Sequence, residues 1–104
     1  MSSLRMPQSL NARLGLETGD VVFRDELLAE QAASLGQAGR KVEAALAALR
    51  EHPGGAGRPA VLKAAADVVW GFLVQREVLG LRDRASVIAH YGIPREVLNR
   101  LGAR

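Results

Sequence analysis

A heptad pattern between residues 28 and 49 constrains the fold more than any other feature of this sequence. Apolar and small residues recur there at alternating spacings of four and three, which places them on one face of a helix. Cysteine is absent and aromatic residues make up only 4% of the 104 residues. A disulfide scaffold is therefore excluded, and helix packing is favoured over a β-sandwich. This heptad seam consists of Leu28, Ala32, Leu35, Gly39, Val42, Leu46 and Leu49.

Start and stop signals predict two long helices. The first runs from Asp20, an acid suited to a helix N-terminus, to Glu51, where the sequence His52-Pro53-Gly54-Gly55 ends it. Pro59 fits the first turn of the second helix, which ends near Leu79 because a glycine follows. This second helix is more nearly apolar all round than the first, so we expect it at the centre of the core.

Two short helices are predicted at the C-terminus. Asp83 caps the third helix, which ends at Gly92, and Pro94 begins a fourth that reaches Leu101. Residues 1–19 show no sustained periodicity, and we expect an N-terminal arm or tail there. Residues 20–104 then form a single helical domain. The predicted fold is all-α, a small helical bundle of two long helices plus a C-terminal short-helix hairpin.

The charge distribution bears on possible partners. The chain carries a net charge of +3, and residues 82–104 carry five arginines against two acids, so the first 81 residues sum to zero. The most apolar window, Ala60 to Val74, contains Lys63 and Asp67 and is too short to span a bilayer. No apolar run of signal-peptide length opens the sequence. A cytoplasmic protein without membrane contact is the expectation.

The positive C-terminal segment resembles a helix-turn-helix over roughly 20 residues. Its two short helices meet at Tyr91-Gly92-Ile93, and arginine and asparagine side chains of the kind that reach phosphates and base edges surround the turn. The usual small residue four positions before the turn glycine is replaced by Ile88. A hairpin that closes the core is therefore favoured over DNA binding. The alternative nucleic-acid contacts are Arg84, Arg95, Asn99 and Arg100.

Asp83, Ser86 and His90 lie on one face of the third helix and offer an acid, a hydroxyl and an imidazole. Capping and helix-dipole effects explain each of them without a site, because such a triplet on one helix provides no oxyanion hole. Two histidines without cysteine form no metal constellation. The glycine-rich loop before the second helix is interpreted as a linker. The sequence thus predicts no catalytic residue, no cofactor and no metal.

Arg76 falls at an apolar position of the second helix, between Phe72 and Leu79. A buried guanidinium requires a carboxylate partner. Three candidates are open for a structural ion pair, and a guanidinium that reaches solvent along its alkyl stem is the alternative. The candidate carboxylates are Glu43, Glu77 and Asp83.

Four stretches together resemble a small family of helical bacterial proteins without an assigned function. They are Ser34 to Glu43, Trp70, Val74 to Asp83 and Tyr91 to Pro94. The family carries no known catalytic or binding residue, so the resemblance implies no site.

Helix length predicts self-association. The 32 residues from Asp20 to Glu51 would form a helix roughly 48 Å long, whereas a compact chain of this size is roughly 33 Å across. Either the helix breaks near Gly36–Gly39 or a second copy covers its apolar face, and the unshifted heptad spacing argues against a break. We therefore expect a homodimer formed through the Leu28–Leu49 helix face. This predicts a non-enzymatic protein that acts through protein–protein contacts. A small DNA-binding regulator, and an enzyme or ligand-binding protein with its site at the subunit interface, are the alternatives.

Overall fold

The computed structural model of the chain describes the backbone of residues 8–103 and the side chains from Val21 to Ala103. Within these residues, four helices and no strand are present, which confirms the predicted all-α class of two long and two short helices. The chain divides into two compact units between Ala33 and Ser34. The helices are α1 (Gln8–Arg50), α2 (Arg58–Val78), α3 (Arg84–Tyr91) and α4 (Arg95–Leu98).

Helix α1 begins at Gln8, so the predicted start at Asp20 is wrong. No proline lies between Gln8 and Arg50, and each glycine in that stretch costs only about 1 kcal/mol relative to alanine. The helix also continues through Gly36 and Gly39, as the heptad spacing predicted. The division into an arm over residues 1–19 and a domain over residues 20–104 stays a prediction, and residues 1–7 lie outside the described part of the chain.

The hydrophobic core lies within the unit that begins at Ser34. Helix α1 contributes one face to it, α2 supplies half of its members, and the C-terminal hairpin covers the remainder. Each large aliphatic side chain buried here stabilises the fold by about 1.5–3 kcal/mol. The core residues are Val42, Leu46, Leu49, Leu62, Ala65, Ala66, Val69, Phe72, Leu73, Val87, Ile93 and Val97.

Helix α2 is bounded as the sequence predicts. Pro59 lies in its first turn, and Gly80 follows its C-terminus with a φ of 85°, a left-handed conformation that favours glycine. The amide of Leu81 donates to the carbonyl of Arg76 over 2.8 Å, which satisfies one of the free carbonyls at the helix end. The predicted central position is wrong, however, because α2 buries only one of its faces.

The C-terminal hairpin forms around a left-handed glycine. Asp83 caps α3 by accepting from the Ser86 amide over 3.1 Å, and Gly92 follows that helix with a φ of 64°. Helix α4 ends at Leu98 and not at Leu101 as predicted. The amide of Leu101 instead donates to the carbonyl of Leu98, three residues back. Such i to i+3 bonds tighten the chain into a turn.

Candidate protein-contact surfaces

The C-terminal half of the heptad seam is buried inside the chain itself. Val42 is 0% exposed, and Leu46 and Leu49 are also buried in the core. Leu35 is partly buried against the same cluster, whereas Leu28 is exposed. The prediction that the whole Leu28–Leu49 face contacts a second copy is therefore wrong for its C-terminal half, because α2 and the hairpin already cover those side chains.

Gly39 permits a close contact within this buried half. The Tyr91 ring meets Phe72 edge to face, with 5.4 Å between the ring centroids. A Cβ atom on Gly39 would lie closer than 3.0 Å to the Tyr91 hydroxyl. The Tyr91 hydroxyl thus occupies the space that a side chain at position 39 would fill. The sequence placed Gly39 at a helix-contact position, and the structure shows that the contact is made inside the chain.

Residues 21–30 of α1 are all exposed, and we call them the exposed α1 segment. Phe23 and Leu27 are one turn apart, and Val21 and Leu28 are two turns apart, so apolar groups cover a broad arc of this helix surface. Phe23 is 64% accessible to solvent. Large apolar side chains clustered at this density on a surface mark an interaction site. The charged residues of the segment are Arg24, Asp25, Glu26 and Glu30.

A second apolar surface lies on the side of α2 that points away from the core. Its members alternate at spacings of four and three, and every one of them is exposed. Val78 is 80% accessible, and Trp70 borders the surface with 40% of its area exposed. A Cβ atom on Gly71 would meet nothing within 4 Å. We call this surface the outer face of α2; it comprises Ala60, Ala64, Asp67, Gly71, Val74 and Val78.

Two ion pairs border the outer face of α2. The Lys63 ammonium lies 2.8 Å from the Asp67 carboxylate, and the Arg84 guanidinium lies 2.8 Å from the Glu77 carboxylate. Arg84 also lies 5.8 Å from the centre of the Trp70 ring, within range of a cation–π interaction. An open cavity of about 530 Å³ lies beside this ring. The outer face of α2 thus consists of small and apolar residues apart from Asp67, and further charged residues lie along its border.

The predicted nucleic-acid residues do not form one reading helix. Arg95, Asn99 and Arg100 are exposed, but α4 ends at Leu98, so Asn99 is its C-cap and Arg100 lies in the following turn. A four-residue helix is too short to lie along a major groove. Arg84 instead donates to Glu77 of α2, beside the outer face of that helix. DNA binding by these four residues stays a prediction.

Arg76 forms none of the predicted ion pairs within the described part of the chain. Its guanidinium lies over the Phe72 ring at 5.9 Å from the centroid. Asp83 is occupied as the cap of α3, Glu77 binds Arg84, and Glu43 lines a separate cavity with Arg50. Arg76 is half-buried and borders an open cavity of about 370 Å³. Its charge therefore reaches solvent, and a carboxylate partner is not required.

The acid, hydroxyl and imidazole of α3 are arranged as the capping interpretation predicts. Asp83 accepts from the Ser86 amide, and the Ser86 hydroxyl donates to the carbonyl of Asp83 over 3.2 Å. His90 packs edge to face against Tyr91, with 4.8 Å between their centroids. Ser86 is thus bonded to the backbone of its own cap, and no hydrogen bond joins it to His90 in the described residues.

One ion pair was missed by the sequence analysis. Arg58, at the start of α2, binds Glu96 of α4 through two hydrogen bonds, one of them 3.0 Å long from Nη1 to Oε2. The bond from Arg58 lowers the pKa of the Glu96 carboxyl, and Glu96 in turn raises the pKa of Arg58. These residues lie 38 positions apart, so no local spacing indicates the pair. It connects the N-terminus of α2 to α4 of the C-terminal hairpin.

Metal and membrane signals are absent from the part of the chain that the structure describes. Among those residues, no group of three His, Cys, Asp or Glu side chains is placed to hold a metal ion. None of the helices there combines the length and apolar character that crossing a bilayer requires.

Comparison with known proteins identifies a family. The model of a family of unknown function, DUF6665, matches residues 2–104, which confirms the resemblance to a small family without an assigned function. The bacterial origin that was expected with it stays a prediction. No curated protein and no solved structure matches the chain.

Proposed function

The chain belongs to this family of unknown function, and we propose that it works as a homodimer that acts through protein–protein contacts. We also propose that this function is non-enzymatic, and the observation behind this part is that Asp83 and Ser86 of α3, two members of the acid, hydroxyl and imidazole triplet, are engaged in capping that helix. The cytoplasmic location expected from the sequence is part of the same proposal.

The exposed α1 segment is the observation that carries this proposal. Every residue from 21 to 30 is exposed, and five of them are large and apolar. An isolated helix is marginal in water, since most helical stability in proteins comes from packing of an apolar face. A second copy of the chain is the partner that is always present at matching concentration. We therefore infer that the second copy of the chain buries Val21, Phe23, Leu27 and Leu28.

This assignment moves the dimer contact along α1. The heptad pattern predicts this contact between Leu28 and Leu49, but Val42, Leu46 and Leu49 are buried in the core of their own chain. Only the N-terminal end of the heptad seam, Leu28 and Ala32, remains exposed. Leu28 belongs to both the heptad seam and the exposed α1 segment, so the exposed end of the seam and this segment form one surface.

Sedimentation equilibrium tests the proposal. We expect the full chain to sediment at micromolar concentration with twice its mass of 11.1 kDa. The double substitution Phe23→Ser and Leu27→Ser removes two large apolar groups and shifts the equilibrium toward the monomer. Ala29→Ser, on the same exposed turn, is the matched control and leaves the dimer intact. A wild-type chain that stays at 11.1 kDa across this range contradicts the proposal.

Duplex DNA is the alternative partner, and the exposure of Arg95, Asn99 and Arg100 is the observation that favours it. Phosphate contacts weaken steeply with salt. Specific, salt-sensitive retardation of a duplex by the wild-type protein, lost in Arg95→Ala and Arg100→Ala, would replace protein contact by DNA binding as the function.

A further inference from the structure

We propose that the cavity between α2 and α3 binds a small organic carboxylate, and that Arg76 is the residue that binds the carboxylate group. The cavity has a volume of about 370 Å³, at the small end of the usual range for ligand pockets. The site goes beyond the proposed homodimer and does not depend on it. We call it the α2–α3 cavity; it is lined by Phe72, Arg76, Ser86, Val87, His90 and Tyr91.

Arg76 supplies a positive charge that the described part of the chain does not neutralise. Among the arginines whose side chains the structure describes, Arg58 and Arg76 are half-buried. Arg58 binds Glu96 through two hydrogen bonds, whereas the Arg76 guanidinium contacts an aromatic ring and no described carboxylate. A guanidinium has five N–H donors and no acceptor, and pairs of its donors match the two oxygens of a carboxylate. An anion from outside the chain is therefore the partner that these donors fit.

The position of the guanidinium leaves its donors accessible. Its carbon lies over the Phe72 ring, 5.9 Å from the centroid, and Phe72 is itself buried in the core. Such an arrangement uses the face of the cation and leaves the N–H groups at its edge for a planar anion. Solvent reaches each Arg76 nitrogen, because none of them is both buried and without a hydrogen bond. A ligand can therefore approach the donors without a rearrangement of the fold.

The other lining residues favour an organic anion with a single charge. Phe72 and Val87 belong to the core, and Tyr91 packs against it, so these three residues give the cavity an apolar wall. His90 adds an imidazole at the solvent-exposed side. Among the six lining residues, Arg76 carries the one permanent charge. A carboxylate neutralises that charge, whereas a doubly charged phosphate would bring an excess negative charge against an apolar wall.

Other cavities in the described part of the chain lack this combination. Lys63 lines the cavity beside Trp70, but Asp67 lines it too and pairs with the ammonium at 2.8 Å. Arg50 lines a cavity of about 170 Å³ together with Glu43. In both cavities a carboxylate of the chain accompanies the cation, whereas neither Asp nor Glu lines the α2–α3 cavity. The unneutralised cation thus distinguishes this cavity as an anion site.

Benzoate and benzamide test the site in the wild-type chain, because they have nearly the same shape and differ in charge. We expect a nitrogen–proton NMR titration of the full chain to show saturable shifts with benzoate, centred on the amides of Val87, His90 and Tyr91. Benzamide should bind roughly 10-fold more weakly, because it lacks the charge-assisted hydrogen bonds. Equal affinities for the two probes, or no saturable binding of benzoate at millimolar concentrations, would overturn the proposal. Tighter binding of phenyl phosphate than of benzoate contradicts the assignment to a carboxylate.

Substitution of Arg76 tests its role directly. Arg76→Gln should weaken benzoate binding roughly 10- to 100-fold, the range expected for hydrogen bonds to a charged group. Arg76→Lys keeps the charge but loses the planar pair of donors, so its affinity should fall between those of the wild type and Arg76→Gln. Arg82→Gln removes the same charge at an exposed position between α2 and α3 and is the matched control, which should bind benzoate as the wild type does.

Circular dichroism of each variant verifies that the helices are retained. If Arg76→Gln does not fold, the comparison of benzoate with benzamide in the wild-type chain still decides the proposal. A folded Arg76→Gln variant that binds benzoate as tightly as the wild type contradicts it. A wild-type monomer that binds benzoate at this cavity supports the inference while contradicting the proposed homodimer, so the two proposals fail separately.

Discussion

Two parts of the same helix have opposite environments. Residues 21–30 of α1 are exposed without exception, whereas between residues 39 and 49 a buried residue recurs every three or four positions. Both parts carry apolar side chains at helical spacings, and no break separates them. The difference arises from what packs against each part. In the C-terminal part, α2 and the hairpin supply the opposing surface, whereas residues 21–30 are exposed.

This comparison distinguishes two roles for the same pattern. An apolar face that is covered within the chain contributes to the stability of the monomer at any concentration. An apolar face left exposed contributes only when another molecule covers it, so its contribution depends on protein concentration. Concentration is therefore the experimental variable that separates the two parts of α1.

Leu46→Ala should produce the largest effect. Leu46 is fully buried in the core, and truncating such a leucine costs about 2–5 kcal/mol through lost transfer energy and the cavity left behind. Urea denaturation should show this loss at every protein concentration. Leu28→Ala, in the same heptad seam but exposed, should lower only the concentration-dependent part of the free energy of unfolding. Equal, concentration-independent losses for both variants would remove the distinction between the two parts.

Gly39→Ala should produce the next largest loss of stability. A Cβ atom at this position collides with the Tyr91 hydroxyl, and overpacking of this kind costs about 1–3 kcal/mol. Gly36→Ala, three residues earlier, meets only the flexible end of Arg40 at 3.6 Å and should stabilise the helix by roughly 0.5–1 kcal/mol. Thermal unfolding monitored by circular dichroism compares them. The same sign for both substitutions would show that the Tyr91 contact is not maintained in solution.

The pH dependence that the Arg58–Glu96 pair gives to stability should be a smaller effect. The pKa of Glu96 is lowered by Arg58, so the folded state favours the ionised carboxylate. The resulting stabilisation is fully present above the pKa that Glu96 has in the unfolded chain, and it is lost as the pH falls through the lower folded pKa. Stability measured against pH should decline less steeply at acidic pH in Glu96→Gln than in the wild type. Identical acid profiles would show that the ion pair does not form.

Much of the fold follows from local signals. The ends of α2, the Asp83 cap and the end of α3 at Gly92 were all predicted, because each depends on residues within one turn of the site. The start of α1 was not predicted, since Gly15, Gly19 and Asp20 resemble a boundary but each costs too little to end a helix. The end of α4 was missed for a related reason, because the turn after Leu98 uses residues that a helix also tolerates.

The candidate contact surfaces were predicted only in part. The heptad seam was identified, but its division between the core and the solvent was not. The outer face of α2 was not identified, because a helix that is apolar all round contains a core face and an exposed face that look alike in sequence. The Arg58–Glu96 pair had no sequence signal, since its members meet only when α2 and α4 pack.

The sequence alone determined that the chain is helical, where α2 and the hairpin begin, and that one helix carries a long apolar seam. These are consequences of periodicity and capping, which act over a few residues and are encoded locally. Only the tertiary structure decided which apolar faces are covered. Burial depends on the surface that another element presents, and residues far apart in the chain supply that surface. In this protein, tertiary packing buries Val42, Leu46 and Leu49 and leaves Phe23, Leu28 and the outer face of α2 exposed to solvent.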